Sequence, residues 1–269
     1  MPYKAEILLD SINPSGNRLT TFVITFPRFV LAEMNTHRLL SRNSASSRAL
    51  GHKKIESMVK EDPFIPFYWG KNQIGMQAQE EIDILSRIEA EKLWIEARNS
   101  MIEYSDKLSK LGIHKQLVNR LLETWMYVTI IATGTEWENF FYLRCASDAQ
   151  PEINKIAIMM KEIYNTSIPQ KIDVGKWHLP FTSEEDGTIE ERLKISTARC
   201  ARVSYLTFDG KNDILANYEL HDRLIESKHF SCTEHQAISM GNNNRFGNFW
   251  GWKQYRKFFT DEHHGRKLE

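Results

Sequence analysis

Residues 21–26 read TFVITF and alternate between two kinds of side chain. Two phenylalanines and an isoleucine share one face while the threonines and the valine share the other, which is the period of a β-strand. Pro27 follows, and because proline cannot donate to a strand ladder it predicts the end of this strand. Residues 7–9 predict a second strand. An apolar strand face is stable only when other elements bury it, so the chain must contain at least one sheet packed against a hydrophobic core.

Helical patterns fill most of the remaining chain. After Pro27, the residues Val30, Met34 and His37 recur at spacings of four and three, which places them on one helical face. Apolar periodicity with flanking glycine or proline predicts further helices at 77–111, 114–132, 136–145, 151–165, 188–201 and 213–228. Strands among so many helices predict an α+β fold, with a small antiparallel sheet surrounded by helices.

Loops and linkers are indicated by glycine, proline and short polar residues. Residues 62–75 predict an ordered loop, and the serine-rich residues 41–48 predict a loop that caps a helix or binds a ligand. Residues 173–188 combine two glycines, a proline and an acidic run, which is typical of a linker. The predicted organisation is therefore a core at 1–172, a linker at 173–188, and a segment at 189–269 packed on the same domain.

Composition excludes several classes of protein. The chain has 269 residues, with 35 Lys and Arg against 35 Asp and Glu, so bulk charge predicts neither nucleic-acid nor membrane binding. Three cysteines without a C-x-x-C pair predict a cytoplasmic protein without a disulfide framework or a metal site. We find no signal-peptide pattern and no apolar stretch long enough to span a bilayer. Dinucleotide-binding, P-loop, zinc-protease and nucleophile-elbow signatures are also missing.

Residues 36–48 (THRLLSRNSASSR) interleave arginines with hydroxyl side chains. Arginine offers a planar pair of donors and serine fills the remaining oxygens, so this composition suits a phosphate group. A solvated loop with surface arginines is the competing interpretation. Composition alone does not separate the two, and the order of the residues decides between them.

That order resembles the signature of the flavin-dependent thymidylate synthases, R-H-R-x-x-S-x-N-E-x-S-x-R. The residues that match it in register are His37, Arg38, Ser41, Asn43, Ser46 and Arg48. Thr36 and Ser44 depart from it, and Glu33 stands where the family often has glutamine. Residues 139–153 (NFFYLRCASDAQPEI) are similar to the family's N-F-x-x-L-R-x-x-x-x-A-Q-x-E-I run, and Arg120 lies in a segment similar to A-R-x-x-L-P.

Two further family blocks occur in an unexpected place. Residues 200–205 (CARVSY) resemble A-A-R-V-S-Y, and residues 228–235 (KHFSCTEH) resemble G-H-x-S-P-x-E-H. Both blocks precede the R-H-R signature in the family but follow it here, which predicts a circularly permuted version of the family fold. Permutation is feasible because the termini of compact domains often lie close together. It requires residues 229–235 to pack against residues 37–48.

The resemblance implies reductive methylation of dUMP to dTMP with FAD, NADPH and methylenetetrahydrofolate, in a homotetramer. It implies a catalytic role for Arg144, which stabilises charge on the pyrimidine. The implied substrate-binding residues are Ser46, Arg48, Arg120 and Glu33. The implied flavin-binding residues are His37, Arg38, Asn43, Asn139, His229, Ser231 and Glu234. Two alternatives stay open: another pyrimidine nucleotide, such as dCMP, or hydroxymethyl transfer on the same scaffold, and a nucleotide-binding module without catalysis.

Other reactive side chains are assigned no chemistry. Cys145 next to Arg144 is interpreted as a small half-buried thiol rather than a nucleophile. The histidines His52, His114, His178 and His235 are interpreted as structural or surface residues, and His263 with His264 as an adventitious metal chelator only. The aromatic and basic residues 245–259 favour core packing with a solvated cationic face. Stacking on a flavin or folate ring, or on single-stranded nucleic acid, is the alternative.

Overall fold

A computed structural model describes residues 3–203 and 213–263 of the chain. Ser204, Tyr205 and His264 lie outside the described residues. The strands are β1 (Lys4–Ile12), β2 (Arg18–Pro27), β3 (Ser41–Ser44), β4 (Tyr127–Gly134), β5 (Gln170–Lys171), β6 (Trp177–His178), β7 (Ala237–Ser239), β8 (Arg245–Phe246), β9 (Phe249–Trp250) and β10 (Trp252–Gln254). The α-helices are α1 (Leu31–Asn35), α2 (His52–Glu61), α3 (Ile84–Lys110), α4 (Lys115–Val118), α5 (Glu138–Arg144), α6 (Pro151–Thr166), α7 (Ile189–Arg202) and α8 (Ile214–Glu226). Short 3-10 helices lie at Arg28–Val30, Asn119–Trp125, Glu184–Asp186, Phe230–Glu234 and Tyr255–Phe258.

A five-stranded sheet in the order β3-β4-β2-β1-β5 forms the centre of the fold. Its strands are antiparallel apart from a two-residue parallel pairing of β1 with β5. The apolar face of β2 predicted from the sequence is buried, with Phe22, Ile24 and Phe26 inaccessible to solvent. Helices α5 and α6 cover that face, where Phe22 meets Trp137 edge-on. The structure thus has the predicted α+β class, with a mixed rather than purely antiparallel sheet.

Several predicted elements are confirmed. Helix α6 begins at Pro151, and Thr188 with Glu191 forms the capping box of α7. Gly112 follows α3 with a φ of +81°, the left-handed conformation expected after a helix end. Helix α3 itself begins at Ile84, seven residues later than predicted, because the Asp83 side chain caps its first turn.

Three local predictions are wrong. The helix predicted at 114–132 ends at Val118 and is followed by a 3-10 helix to Trp125. Residues 127–132 belong to strand β4, because the β-branched run YVTIIATG pairs with both β2 and β3. The first half of the loop predicted at 41–48 is strand β3, which is stabilised by the same pairing. Helix α1 ends at Asn35, so His37 lies beyond it in a turn.

The later part of the chain packs on the other side of the sheet. Strands β6, β7 and β10 form a three-stranded sheet that includes His178, a buried residue within the predicted linker. Phe249 and Trp252 of the aromatic tail are buried against Leu19 of β2. The division into two segments and a linker stays a prediction. Within the described ranges, no helix has the length and apolarity to cross a membrane.

Candidate functional site

Arg144 lies at the end of α5 and contacts the turn that follows α1. Its Nε donates to His37 Nε2 at 2.9 Å, and its Nη2 donates to Thr36 Oγ1 at 3.0 Å and to the Glu33 carbonyl at 3.3 Å. The two sequence blocks that resemble the family thus meet through direct side-chain contacts. The Asn154 side chain donates to the Arg144 carbonyl at 3.0 Å, which ties the end of α5 to α6. The side chain of Arg144 is therefore held by the turn after α1, and its backbone is held by α6.

His37 is the neutral partner in this cluster. Burial, together with the positive charges of Arg144 and Arg42, lowers its pKa from 6.5 to about 4. At neutral pH the ring therefore carries one proton. Because Nε2 accepts from Arg144, that proton resides on Nδ1. The ring also packs edge-on against Phe140 at a centroid distance of 4.9 Å, which fixes its plane.

Asn43 on β3 is held by the segment that follows α8. Its Nδ2 donates to Ser231 Oγ at 3.1 Å, and its Oδ1 is 2.8 Å from His235 Nε2. These contacts join residues 188 and 192 positions apart in sequence. The packing of residues 229–235 against residues 37–48, which permutation requires, is therefore present. The order of the family blocks is a separate matter and stays a prediction.

A buried hydrogen-bond relay continues from His235 through the sheet. His235 Nδ1 is 2.9 Å from Thr133 Oγ1, Thr133 is 2.9 Å from Thr21 Oγ1, and Thr21 is 2.8 Å from His178 Nε2. His178 Nδ1 ends the relay on Ser11 Oγ at 2.8 Å. Burial lowers the pKa of both histidines to about 3, so both rings are neutral at neutral pH.

The amide of Asn43 fixes the direction of every bond in this relay. Because its Nδ2 donates to Ser231, its Oδ1 must accept, and His235 Nε2 is the donor. A neutral His235 then accepts at Nδ1 from Thr133, which accepts from Thr21, which accepts from His178 Nε2. Each link thus has one donor and one acceptor. We conclude that the relay holds Asn43 in a single orientation from within the core.

The predicted phosphate residues form a second neighbourhood around Glu123. Ser47, between Ser46 and Arg48, donates to the Glu123 carboxylate, and Arg120 lies 3.4 Å from the same group. Arg48 is exposed, and Ser46 Oγ accepts from its backbone N–H at 3.3 Å. Ser46, Arg48 and Arg120 therefore lie on two segments joined through one carboxylate. Arg28, 3.0 Å from Glu123, adds a cation that the sequence analysis did not select.

The other predicted residues lie around these two groups. Arg38, Asn139 and His229 are exposed side chains. Glu234 pairs with Arg256 at 2.6 Å. Burial lowers the pKa of the half-buried Arg42, and the negative charge of Glu234 partly opposes that effect. Arg42 donates to the carbonyls of Met34 and His37 and so closes the turn that carries the signature.

A cavity of about 1100 Å³ lies beyond α5 and is separate from these groups. The loop before α3 and the start of α6 line it, with Trp69, Trp94 and Lys155 among its residues. Of the described residues, the predicted site residues do not line this cavity. Cys145 is half-buried, and burial raises the pKa of its thiol, which agrees with a structural role.

Besides Arg28, sequence reasoning did not place His235, Thr133 and Arg42 at the site. His235 is the last residue of the block KHFSCTEH, so the resemblance itself contained the signal. Thr133 gave no such signal, because it was predicted to lie just beyond the helix at 114–132 and not on a strand.

Comparisons with known proteins identify the fold and the family of the chain. A search of curated protein sequences found no significant match. The chain is similar in fold to a crystal structure of a UMP/dUMP methylase, PolB from Streptomyces cacaoi, bound with 5-Br UMP. The TM-score is 0.50 at 16% identity, over 60% of this chain and 88% of that one. A second structure of that methylase, bound with 5-Br dUMP, gives 0.45 at 19% identity, over 55% and 66%.

The family model described as thymidylate synthase complementing protein matches residues 18–170. That range carries β2, the 36–48 signature and the Arg144 block, which are the parts that the structure brings together. More than half of the chain lies inside the match. The chain belongs to the thymidylate synthase complementing protein family.

Proposed function

We propose that the chain methylates C5 of a pyrimidine deoxynucleotide, converting dUMP to dTMP, with FAD as cofactor and with NADPH and methylenetetrahydrofolate as co-substrates. Family membership supports the reaction class, and the named activity of the similar methylase agrees with the choice of uridylate. The single observation that carries the proposal is the contact of Arg144 with His37, because it joins the two blocks that resemble the family into one polar surface.

Arg144 is proposed to act on the pyrimidine. Within the described part of the chain its hydrogen bonds use Nε and Nη2, so Nη1 is available to a ligand. A cation fixed beside a ring carbonyl stabilises the negative charge that develops when C5 becomes nucleophilic. His37 supports this role because a neutral acceptor orients the guanidinium without neutralising it.

Ser46, Arg48 and Arg120 are proposed to hold the 5′-phosphate, with Glu33 contacting the nucleotide. An arginine pair and a hydroxyl suit a phosphate because charge-assisted bonds are strong and directional. Glu123 supports this arrangement, because it pairs with Arg120 and accepts a hydrogen bond from Ser47, which lies between Ser46 and Arg48.

The residues proposed for flavin fit such a group by their chemistry. Arg38, Asn139, His229 and Ser231 offer exposed donors, which match the carbonyl and phosphate oxygens of a dinucleotide, and Asn43 is preoriented by the relay. Glu234 and His37 complete the proposed set. When bound, a reduced flavin supplies the hydride. The chain's own residues bind and orient it.

We further propose a cytoplasmic homotetramer in a circularly permuted fold. Exposed apolar side chains beside the site, such as Tyr142 and Leu143 on α5, support an association of subunits. Light scattering after size exclusion should give four times the monomer mass of 31.5 kDa. A monomer at micromolar concentration would contradict this part of the proposal.

The test of the activity begins with an absorption spectrum of the purified protein, followed by anaerobic mixing with NADPH and a nucleotide. We expect flavin absorbance, bleaching that responds to dUMP, and dTMP when methylenetetrahydrofolate is added. Thr36 and Ser44, which depart from the family signature, favour testing UMP and dCMP as acceptors in parallel. Turnover of dCMP without turnover of dUMP or UMP would show that dCMP is the acceptor. A colourless protein that cannot be loaded with FAD would favour a nucleotide-binding module without catalysis.

A further inference from the structure

A cluster outside the proposed active site combines one histidine with two carboxylates. His52 and Glu56 lie one turn apart on α2, and Asp106 faces them from α3. Their potential ligand atoms all lie within 4.8 Å of one another. Four-coordinate ions with bonds of about 2.0–2.2 Å need ligand separations of roughly 3.4 Å, so side-chain rotations alone can close this triangle.

The imidazole of His52 is prepared for a metal ion. His52 is 92% buried, since its exposed fraction is 8%, and its Nε2 has no hydrogen-bond partner in the described structure. Its Nδ1 lies 3.1 Å from Asn119 Oδ1. Asn119 Nδ2 donates to the carbonyls of Ser47 and Leu50, so the Asn119 oxygen is the acceptor in this pair.

It follows that His52 Nδ1 carries the ring proton and that Nε2 presents a lone pair. Metal-bound histidines are usually held in this way, with the second ring nitrogen donating to an oxygen behind it. An orphaned lone pair in a buried position is otherwise unfavourable, because a buried acceptor without a partner loses its hydration without replacement.

A cation already occupies the gap between the two carboxylates. Lys53 Nζ lies 2.8 Å from Glu56 and 2.7 Å from Asp106. Its side chain is 73% exposed, so the ammonium can move into solvent at little cost. Lys60 and Lys110 hold the outer oxygens of the same carboxylates and are also exposed.

We propose that His52, Glu56 and Asp106 bind one divalent transition-metal ion of the zinc class, with water completing its coordination. An imidazole with two carboxylates is a donor set that zinc accepts, whereas magnesium and calcium favour oxygen ligands alone. The ion replaces the ammonium of Lys53 and links α2 to α3. Through Asn119 it also supports the loop that carries Ser47. The ion would take no part in the proposed nucleotide chemistry.

The experiment titrates the full-length protein with Zn²⁺ at pH 7.5 in competition with a chromophoric chelator. The His263→Ala/His264→Ala background removes the tail histidines. We expect one equivalent bound, at least tenfold weaker binding in Asp106→Asn, and unchanged binding in the control Glu61→Gln at the far end of α2. Lys53→Ala should tighten binding several-fold, because it removes the competing ammonium. If Glu56 and Asp106 served only as ion-pair partners of Lys53, removal of the ammonium would not tighten Zn²⁺ binding.

Nitrogen NMR of the imidazoles gives a second readout, in which Zn²⁺ should shift Nε2 of His52 and leave Nδ1 protonated. Mg²⁺ at the same concentration should cause no such shift. Equal affinity of the parent and Asp106→Asn, weaker binding by Lys53→Ala, or loss of all binding with the tail histidines would each overturn the proposal. Because Asp106→Asn keeps the shape of the side chain and Lys53 is exposed, the test does not depend on whether a His52→Gln variant folds.

Discussion

His235 connects the core relay to Asn43, and its replacement by leucine should be costly. In His235→Leu, Asn43 Oδ1 loses its donor and Thr133 loses its acceptor, while the shape of the side chain is largely retained. A buried polar group left without a partner costs about 1–3 kcal/mol, so two such groups lower the free energy of unfolding by about 2–6 kcal/mol. Urea denaturation monitored by tryptophan fluorescence measures this change.

His229→Leu is the matched control, because His229 belongs to the same segment but is exposed. Its free energy of unfolding should stay within about 0.5 kcal/mol of the parent. His235→Gln should recover part of the loss, since its amide can still donate toward Asn43. If His235→Leu costs less than about 1 kcal/mol, the relay does not hold Asn43 and the reasoning is refuted.

The same histidines make stability depend on pH in a defined direction. The pKa of His235 and of His178 is about 3 in the folded protein against 6.5 for a free histidine. Between these values the unfolded chain binds protons that the folded chain does not. The free energy of unfolding therefore falls as pH decreases from 6.5 toward 3, by up to about 1.4 kcal/mol per pH unit for each histidine. His235→Leu should show a shallower slope, and an identical slope would show that His235 titrates normally in the folded state.

Three further predictions concern the proposed active site. Arg144→Ala should reduce kcat by about 10²–10³-fold with the fold intact by circular dichroism, and wild-type rates would remove Arg144 from the mechanism. The same variant should raise the pKa of His37 from about 4, because one of the two neighbouring cations is lost, whereas the control Arg98→Ala on α3, whose charge does not act on His37, should leave the NMR titration of His37 unchanged. Arg48→Ala should raise the KM for dUMP at least tenfold while the affinity for the unphosphorylated nucleoside stays the same, and a parallel loss for both would contradict phosphate binding.

The sequence contained enough to predict the fold class, the central strand and the family. These inferences depended on local signals: the alternation in β2, Pro151 at the start of α6, and residue patterns in register. Strand β4 was missed although its β-branched residues favour a strand. Most of its residues are buried whichever face they lie on, so the run lacks the apolar–polar alternation that identifies a strand in sequence. Pairing across a sheet is a long-range property, and no local pattern in this chain encodes it.

The site shows the same limit. The segments that contribute Arg144 and Asn43 were expected to converge, and the contacts with His37 and Ser231 are present. The relay through Thr133 was not expected, since single threonines on a strand carry no pattern. The cluster at His52 was also missed, because one of its carboxylates comes from a distant helix.

The contact between Asn43 and the 229–235 segment is made by side chains across a sheet edge, with no continuity of the backbone between them. Such a contact does not depend on the order in which the polypeptide connects the two segments. The contact requires that residues 229–235 be translated and folded against β3 before Asn43 acquires its orientation. A chain truncated after residue 170 would contain the full signature but would lack the contacts that orient Asn43.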